Sequence, residues 1–119
     1  MATPLNISSR TEEGLAVLDI MGDLTLGPSL TMLREAAKKA LDTQKFKGLI
    51  LHVAAVTTTD SAGLGELTVV YTFASKRDCP IALVGVTPAL HKMLAMTHLD
   101  ALLPSAPDIA SAKKQFRER

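Results

Sequence analysis

The sequence predicts an α/β domain built on a central mixed β-sheet of about four to five strands with about four α-helices. Three observations carry that expectation. Residues 48–53 and 81–86 are near-continuous apolar runs, the pattern of strands buried on both faces in a parallel sheet. Amphipathic segments of helical length alternate with these runs, which calls for parallel neighbours joined by right-handed crossovers. An apolar share of 47% over 119 residues suffices for one core, so a single domain spanning 1–119 is expected.

Residues 4–9 read as a first, edge strand. Glu12-Glu13-Gly14 supplies a turn, and residues 15–21 form a second strand paired with the first as a hairpin. Gly22-Asp23 is expected to break that strand. Gly27-Pro28-Ser29 reads as a loop feeding a helix, with Pro28 or Ser29 near its first turn. From Leu30, the residues Leu33, Ala37, Ala40 and Leu41 recur at helical spacing, with Arg34, Glu35, Lys38 and Lys39 on the other side.

Residues 47–53 are the central strand. Leu64, Leu67, Val70, Tyr71 and Ala74 mark a second helix, which should stop near Lys76-Arg77-Asp78 because Pro80 disfavours helical geometry at Cys79. After the strand at 81–86, Thr87 reads as an N-cap and Pro88 as the first helical residue of a short helix reaching Met96. Residues 100–105 are expected as a short edge strand. Residues 108–117 read as a closing helix with Ile109, Ala112 and Phe116 on one face.

Composition excludes several function classes. Thirteen basic and twelve acidic side chains leave the chain near neutral, which removes the electrostatic warrant for nucleic-acid binding. With no Trp, one Tyr and three Phe, a base-stacking platform is not expected either. The lone Cys79 cannot form an internal disulfide, and a reducing cytoplasm is the simplest setting. Residues 1–10 are polar and lack a signal-peptide apolar segment, and no apolar run approaches the roughly twenty residues that span a bilayer. Lys113-Lys114 and Arg117–Arg119 read as a solvated basic end.

The segment Thr59-Asp60-Ser61-Ala62-Gly63-Leu64-Gly65 presents a hydroxyl at a strand-to-helix corner, beside an acidic residue and two glycines. A helix start favours an anion, because its first N–H groups are free and the dipole is positive there. Ser61 can be a helix cap, a nucleophile or a phosphorylation site. Asp60 serves equally well as the cap, with Ser61 one residue inside. Gly63 and Gly65 allow either tight packing of the helix on the sheet or close approach of a partner backbone. Thr57, Thr58 and Thr59 read as loop residues bonding locally to backbone, with a role as alternative phosphoacceptors the other reading. Met93 and Met96, with Leu90, Leu94 and Leu99, read as core, an exposed methionine portion serving as an adaptable partner surface being the other reading.

Enzymatic readings find little support. The nucleophile-elbow pattern Gly-x-Ser-x-Gly is absent, since Thr59 stands where its first Gly belongs. His52 falls within a predicted strand as a half-buried residue, and nothing in the sequence places His91 or His98 beside Ser61. No metal-ligand spacing and no Gly-x-x-x-x-Gly-Lys-Ser/Thr phosphate loop occurs. The chain is expected to be no enzyme, with no cofactor and no metal.

Asp60-Ser61-Ala62-Gly63-Leu64-Gly65 resembles the phosphorylation-site motif of STAS domains, specifically of bacterial anti-sigma factor antagonists, which reads Asp-Ser-Ser/Thr/Ala-Gly-Leu-Gly after a buried strand. The resemblance extends over nearly the whole chain, through the Gly22-Asp23-Leu24 corner, the strand before the motif and the strand ending in Gly85-Val86. It implies a single STAS domain acting as an anti-sigma factor antagonist. The partner would be an anti-sigma factor that is itself an ATP-using serine kinase. The unphosphorylated form would bind that kinase and release sigma factor, phosphorylation of Ser61 would end binding, and a PP2C-type phosphatase would reset the site. The implied partner-binding residues are Asp23, Thr25, Thr59, Asp60, Ser61, Ala62, Gly63, Gly65 and Glu66. The chain departs from the family at Thr25, where an Asp is frequent, and at Thr59, where a large apolar residue is common. The alternative is a STAS subunit of a lipid-trafficking or transporter complex, without phosphate turnover and without insertion of this chain into the membrane. A small-ligand carrier is the third reading.

The switch has a simple physical basis. An interface can close over a neutral hydroxyl. A phosphate brings a charge of about −1.5 to −2 and three acceptor oxygens, here expected beside Asp60 and Glu66. Removing it from water without a cation costs several kcal/mol, and each ~1.4 kcal/mol is a tenfold loss of affinity.

Overall fold

A computed structural model describes residues 3–118. Arg119, placed above in the basic end, lies outside the described residues. The chain forms β1 (Asn6–Glu12), β2 (Leu15–Leu24), α1 (Thr31–Thr43), β3 (Gly48–Thr59), α2 (Ser61–Lys76), β4 (Ile81–Val84), α3 (Pro88–Met96), β5 (Ser105–Ala106) and α4 (Ile109–Arg117). Short 3-10 turns, Pro28–Leu30 and Leu99–Ala101, precede α1 and follow α3.

The five strands make one sheet in the order β1-β2-β3-β4-β5. β1 and β2 are an antiparallel hairpin, and the remaining pairs are parallel. Side chains alternate between sheet faces along each strand. Leu18, Ile20, Leu49, Leu51, Val53, Ile81 and Leu83 therefore share one face, where they join Leu33, Leu67 and Leu90 of α1, α2 and α3 in the main core. Leu15, Val17, Ile50, Ala82 and Val84 face the other way and meet Ala112 of α4 in a smaller core. With all three crossover helices on one face, each crossover adds its strand to the same growing edge, and spatial order follows chain order.

Several boundaries differ from the sequence reading. β2 does not break at Gly22-Asp23 but runs on to Leu24, opposite Thr59 of β3. Gly22 takes φ +94°, and a Cβ there would fall 2.1 Å from the Pro4 carbonyl oxygen, so glycine lets the strand turn there and take a close neighbour. The Asp23 N–H donates to the Thr3 carbonyl at 2.9 Å, and the Thr3 N–H to Asp23 Oδ2 at 2.9 Å.

β3 likewise extends past Val53 to Thr59, so the three threonines belong to a strand, which suits their branched Cβ. Between the pairs Asp19↔His52 and Met21↔Ala55, and again between Gly22↔Val56 and Asp23↔Thr58, β3 carries one residue more than β2. These irregularities break the apolar alternation, which is why the sequence pattern ends early. β4 stops at Val84, level with His52, so the last part of β3 has only β2 beside it. The edge strand is Ser105–Ala106, whereas residues 100–101 of the segment expected to form it belong to the 3-10 turn Leu99–Ala101.

Candidate functional site

The site lies at the carboxyl ends of β2 and β3, where parallel α/β sheets carry their functional loops. Asp60 is the N-cap of α2 and Ser61 the first helical residue, which resolves the two capping alternatives. Asp60 Oδ1 accepts from the Gly63 N–H at 2.9 Å, and Oδ2 accepts from the Leu26 N–H at 2.9 Å. One carboxylate thus closes the helix end and fastens the β2–α1 loop to it. These N–H groups, Leu26 first and Gly63 next, hold the Asp60 carboxyl below its ordinary range, because they stabilise its ionised form.

Ser61 is exposed immediately outside this bracket. The helix begins there because Asp60 has extended backbone and a short acceptor side chain, and the Leu64 N–H bonds back to the Asp60 carbonyl at 3.0 Å. Thr59 and Ala62 flank Ser61 and are half-buried.

The two glycines have different surroundings. A Cβ on Gly63 would lie 2.0 Å from the Leu24 carbonyl oxygen, so the helix rests directly on the end of β2. A Cβ on Gly65 would meet nothing within 4 Å. Packing accounts for Gly63 and leaves Gly65 on the open side.

Glu66 lies on the inward side of α2. It is 7% exposed, and its two carboxylate oxygens accept from Nε and Nη2 of Arg34 on α1. Its carboxylate ties two helices together and does not join the open face around Ser61, contrary to the expectation. Asp23 is also engaged: besides Thr3, it accepts from the Thr57 hydroxyl. Thr25 sits half-buried between Leu24 and the exposed loop.

Sequence reasoning missed Leu26. Its backbone anchors to Asp60 while its side chain is 79% exposed, an apolar group standing free on the loop that Asp60 fastens. Met32, in the first turn of α1, is 45% exposed. The signal for Leu26 was present: an apolar residue between Thr25 and Gly27-Pro28, in a loop with no helical or strand period to bury it.

The remaining titratable side chains are placed elsewhere. His52 Nδ1 lies 2.8 Å from Asp19 Oδ1, on the sheet face opposite α2. Asp19 also accepts from Arg10 Nε at 2.8 Å, and this guanidinium first, then His52, holds its carboxyl below the usual range. Cys79 is buried, and loss of solvation pushes its thiol up to about 11, which makes it inert at neutral pH. Among the described residues, no group of three or more His, Cys, Asp or Glu is placed to hold a metal ion, and no helix is long and apolar enough to cross a membrane.

The sequence profile of the STAS domain matches residues 6–112. The chain belongs to the STAS domain family. Solved structures share its fold. An anti-sigma factor antagonist from Mycobacterium paratuberculosis superposes with a TM-score of 0.77 at 22% identity, over 96% of this chain and 95% of that one. The anti-sigma factor antagonist SpoIIAA in its unphosphorylated form gives 0.75 at 15% identity, over 98% of each. A sulfate transporter family protein from Wolinella succinogenes gives 0.71 at 22% identity, over 92% of this chain and 93% of that one. Within the STAS fold, the Ser61 corner of this chain is an exposed hydroxyl on a helix start whose Gly63 N–H is already held by its own Asp60.

Proposed function

We propose that this STAS domain is an anti-sigma factor antagonist whose docking to an anti-sigma factor serine kinase is ended by phosphorylation at Ser61. One observation carries the reading: Ser61 is exposed at the first position of α2, while the neighbouring Asp60 carboxylate holds the Gly63 N–H and the N–H of exposed, apolar Leu26. The unmodified corner offers a partner a small neutral hydroxyl, an open Gly65 and an apolar anchor, features that bury well in an interface.

A phosphate on Ser61 finds the Gly63 N–H already taken by Asp60 and stands next to a carboxylate. It projects outward, where a closing interface must desolvate it. Asp60 is a repulsive neighbour, whereas the Glu66 charge is paired inside with Arg34. ATP and magnesium belong to the kinase in this scheme. A PP2C-type phosphatase resetting Ser61 completes the cycle, which would run in the cytoplasm.

The test combines a purified candidate kinase with residue-level phosphosite mapping and calorimetric binding. Ser61→Ala should keep the fold and bind constitutively. Phosphorylated protein should bind roughly 100-fold or more weaker, an effect of about 3 kcal/mol. Ser61→Asp should fall between, having one carboxylate in place of a dianion. Phosphate found only on Thr57, Thr58 or Thr59, or equal binding of both forms, removes the reading.

The fold shared with the Wolinella succinogenes transporter family protein supports a second reading, a STAS subunit of a transport complex. There the same corner docks a membrane-associated protein with no dependence on a kinase. Co-purification with membrane components that is indifferent to phosphorylation distinguishes it.

A further inference from the structure

Four of the thirteen lysines and arginines line one cavity at the end of the sheet remote from Ser61. The cavity, about 730 Å³, opens where β2 and β3 begin and α4 crosses them. Its cations are Lys45, Lys47, Lys113 and Arg117, set against the single carboxylate of Asp78. Lys113 is paired with Glu13 at 3.1 Å, whereas among the described residues Lys45, Lys47 and Arg117 form no ion pair.

The inner wall is apolar, formed by Leu15, Phe46 and Phe116. Two of the three phenylalanines in the chain therefore face this cavity. The Phe116 ring owes its place to Gly48: a Cβ there would lie 2.4 Å from the ring, so only a bare Cα lets the aromatic lie against β3. The same ring, with Lys47 and Asp78, lines an adjoining cavity of about 710 Å³. Phe116 thus stands as a partition between two chambers that share one cation.

An aromatic and aliphatic wall rimmed by unpaired cations complements one kind of ligand. It is a molecule with an apolar body, which the wall takes out of water, and a single anionic head, which the long Lys and Arg side chains reach from the rim. We propose that this cavity binds a small amphiphilic anion, a carboxylate or a phosphate monoester carried on an acyl or aryl group. The site is separate from the Ser61 corner and needs no phosphorylation.

Calorimetry and amide NMR with octanoate and octyl phosphate test this on the full chain, with 1-octanol and inorganic phosphate as body-only and head-only controls. At least one amphiphile should bind and shift the amides of Lys47 and Phe116, with each control at least about tenfold weaker. Octanoate alone identifies a carboxylate head; octyl phosphate alone identifies a phosphate ester. The exposed pair Lys45→Glu and Arg117→Glu, made together, should weaken binding about tenfold or more. If that double variant lost its thermal transition, added salt would serve instead, since it must weaken a rim-held anion and spare 1-octanol. Ser61→Asp should bind the probes as the wild type does. The proposal is overturned if neither anion binds at millimolar concentration, if 1-octanol binds as tightly, or if charge reversal and salt leave affinity unchanged.

Discussion

The inward and outward sides of the first two turns of α2 are one short sequence with opposite duties. Inward, Gly63 rests on the Leu24 carbonyl and Glu66 is buried against Arg34. Outward, Ser61 and Gly65 meet nothing that fixes them. Residues of one motif therefore divide into those that hold the helix on the sheet and those that face the open side. Asp60 belongs to both groups, since it caps the helix and holds the loop bearing Leu26.

Four substitutions probe that division, the most damaging first. Gly63→Ala forces a methyl into backbone that cannot yield, and should destabilise the domain by about 3 kcal/mol or more in urea denaturation. A loss below ~0.5 kcal/mol would mean α2 can lift off β2, and the inward assignment would be wrong. Arg34→Ala leaves a buried carboxylate without its partner and should cost about 1–3 kcal/mol. The companion Arg34→Ala/Glu66→Gln variant should recover part of that loss.

Gly65→Ala should act in the opposite sense. With open space around it and a helical position, it should raise stability by about 0.5–1 kcal/mol while weakening partner binding. Improved stability with unaltered binding would remove Gly65 from the interface. The smallest effect is that of pH on Asp60. Its carboxyl sits below the ordinary range when folded, so its contribution is complete above that range and fades as pH falls through the lowered value. The Tm gap between wild type and Asp60→Asn should accordingly be open at neutral pH and narrow below about pH 4. A gap constant down to strong acid would show that the charge is not what the two N–H groups recognise.

The helices were legible because their apolar spacing is regular. Leu33, Ala37 and Leu41 are the buried residues of α1, and Thr87 caps α3 as its sequence implies. The strand ends were not. Two extra residues in β3 put its apolar positions out of phase, and the Gly22-Asp23 pair looks like a stop because only tertiary contact with Pro4 and Thr3 makes it a continuation. At the site, the chain order of Asp60 and Ser61 was visible, but which of them capped was a matter of one residue. The destination of Glu66 was hidden as well, because its partner Arg34 is 32 positions away and reads as an ordinary solvated residue of an amphipathic helix. The basic end looked solvated for a similar reason: nothing in the residues after Asp108 announces that Lys45 and Lys47 converge on them.

β3 continues for seven residues beyond the level at which β4 ends, roughly 20 Å of extended chain. The Ser61 corner consequently follows a two-stranded lip of the sheet, past the level at which the smaller core is sealed. A change confined to the exposed Ser61 side chain would alter the surface that the domain presents without reaching the buried Leu24 and Leu64 behind it.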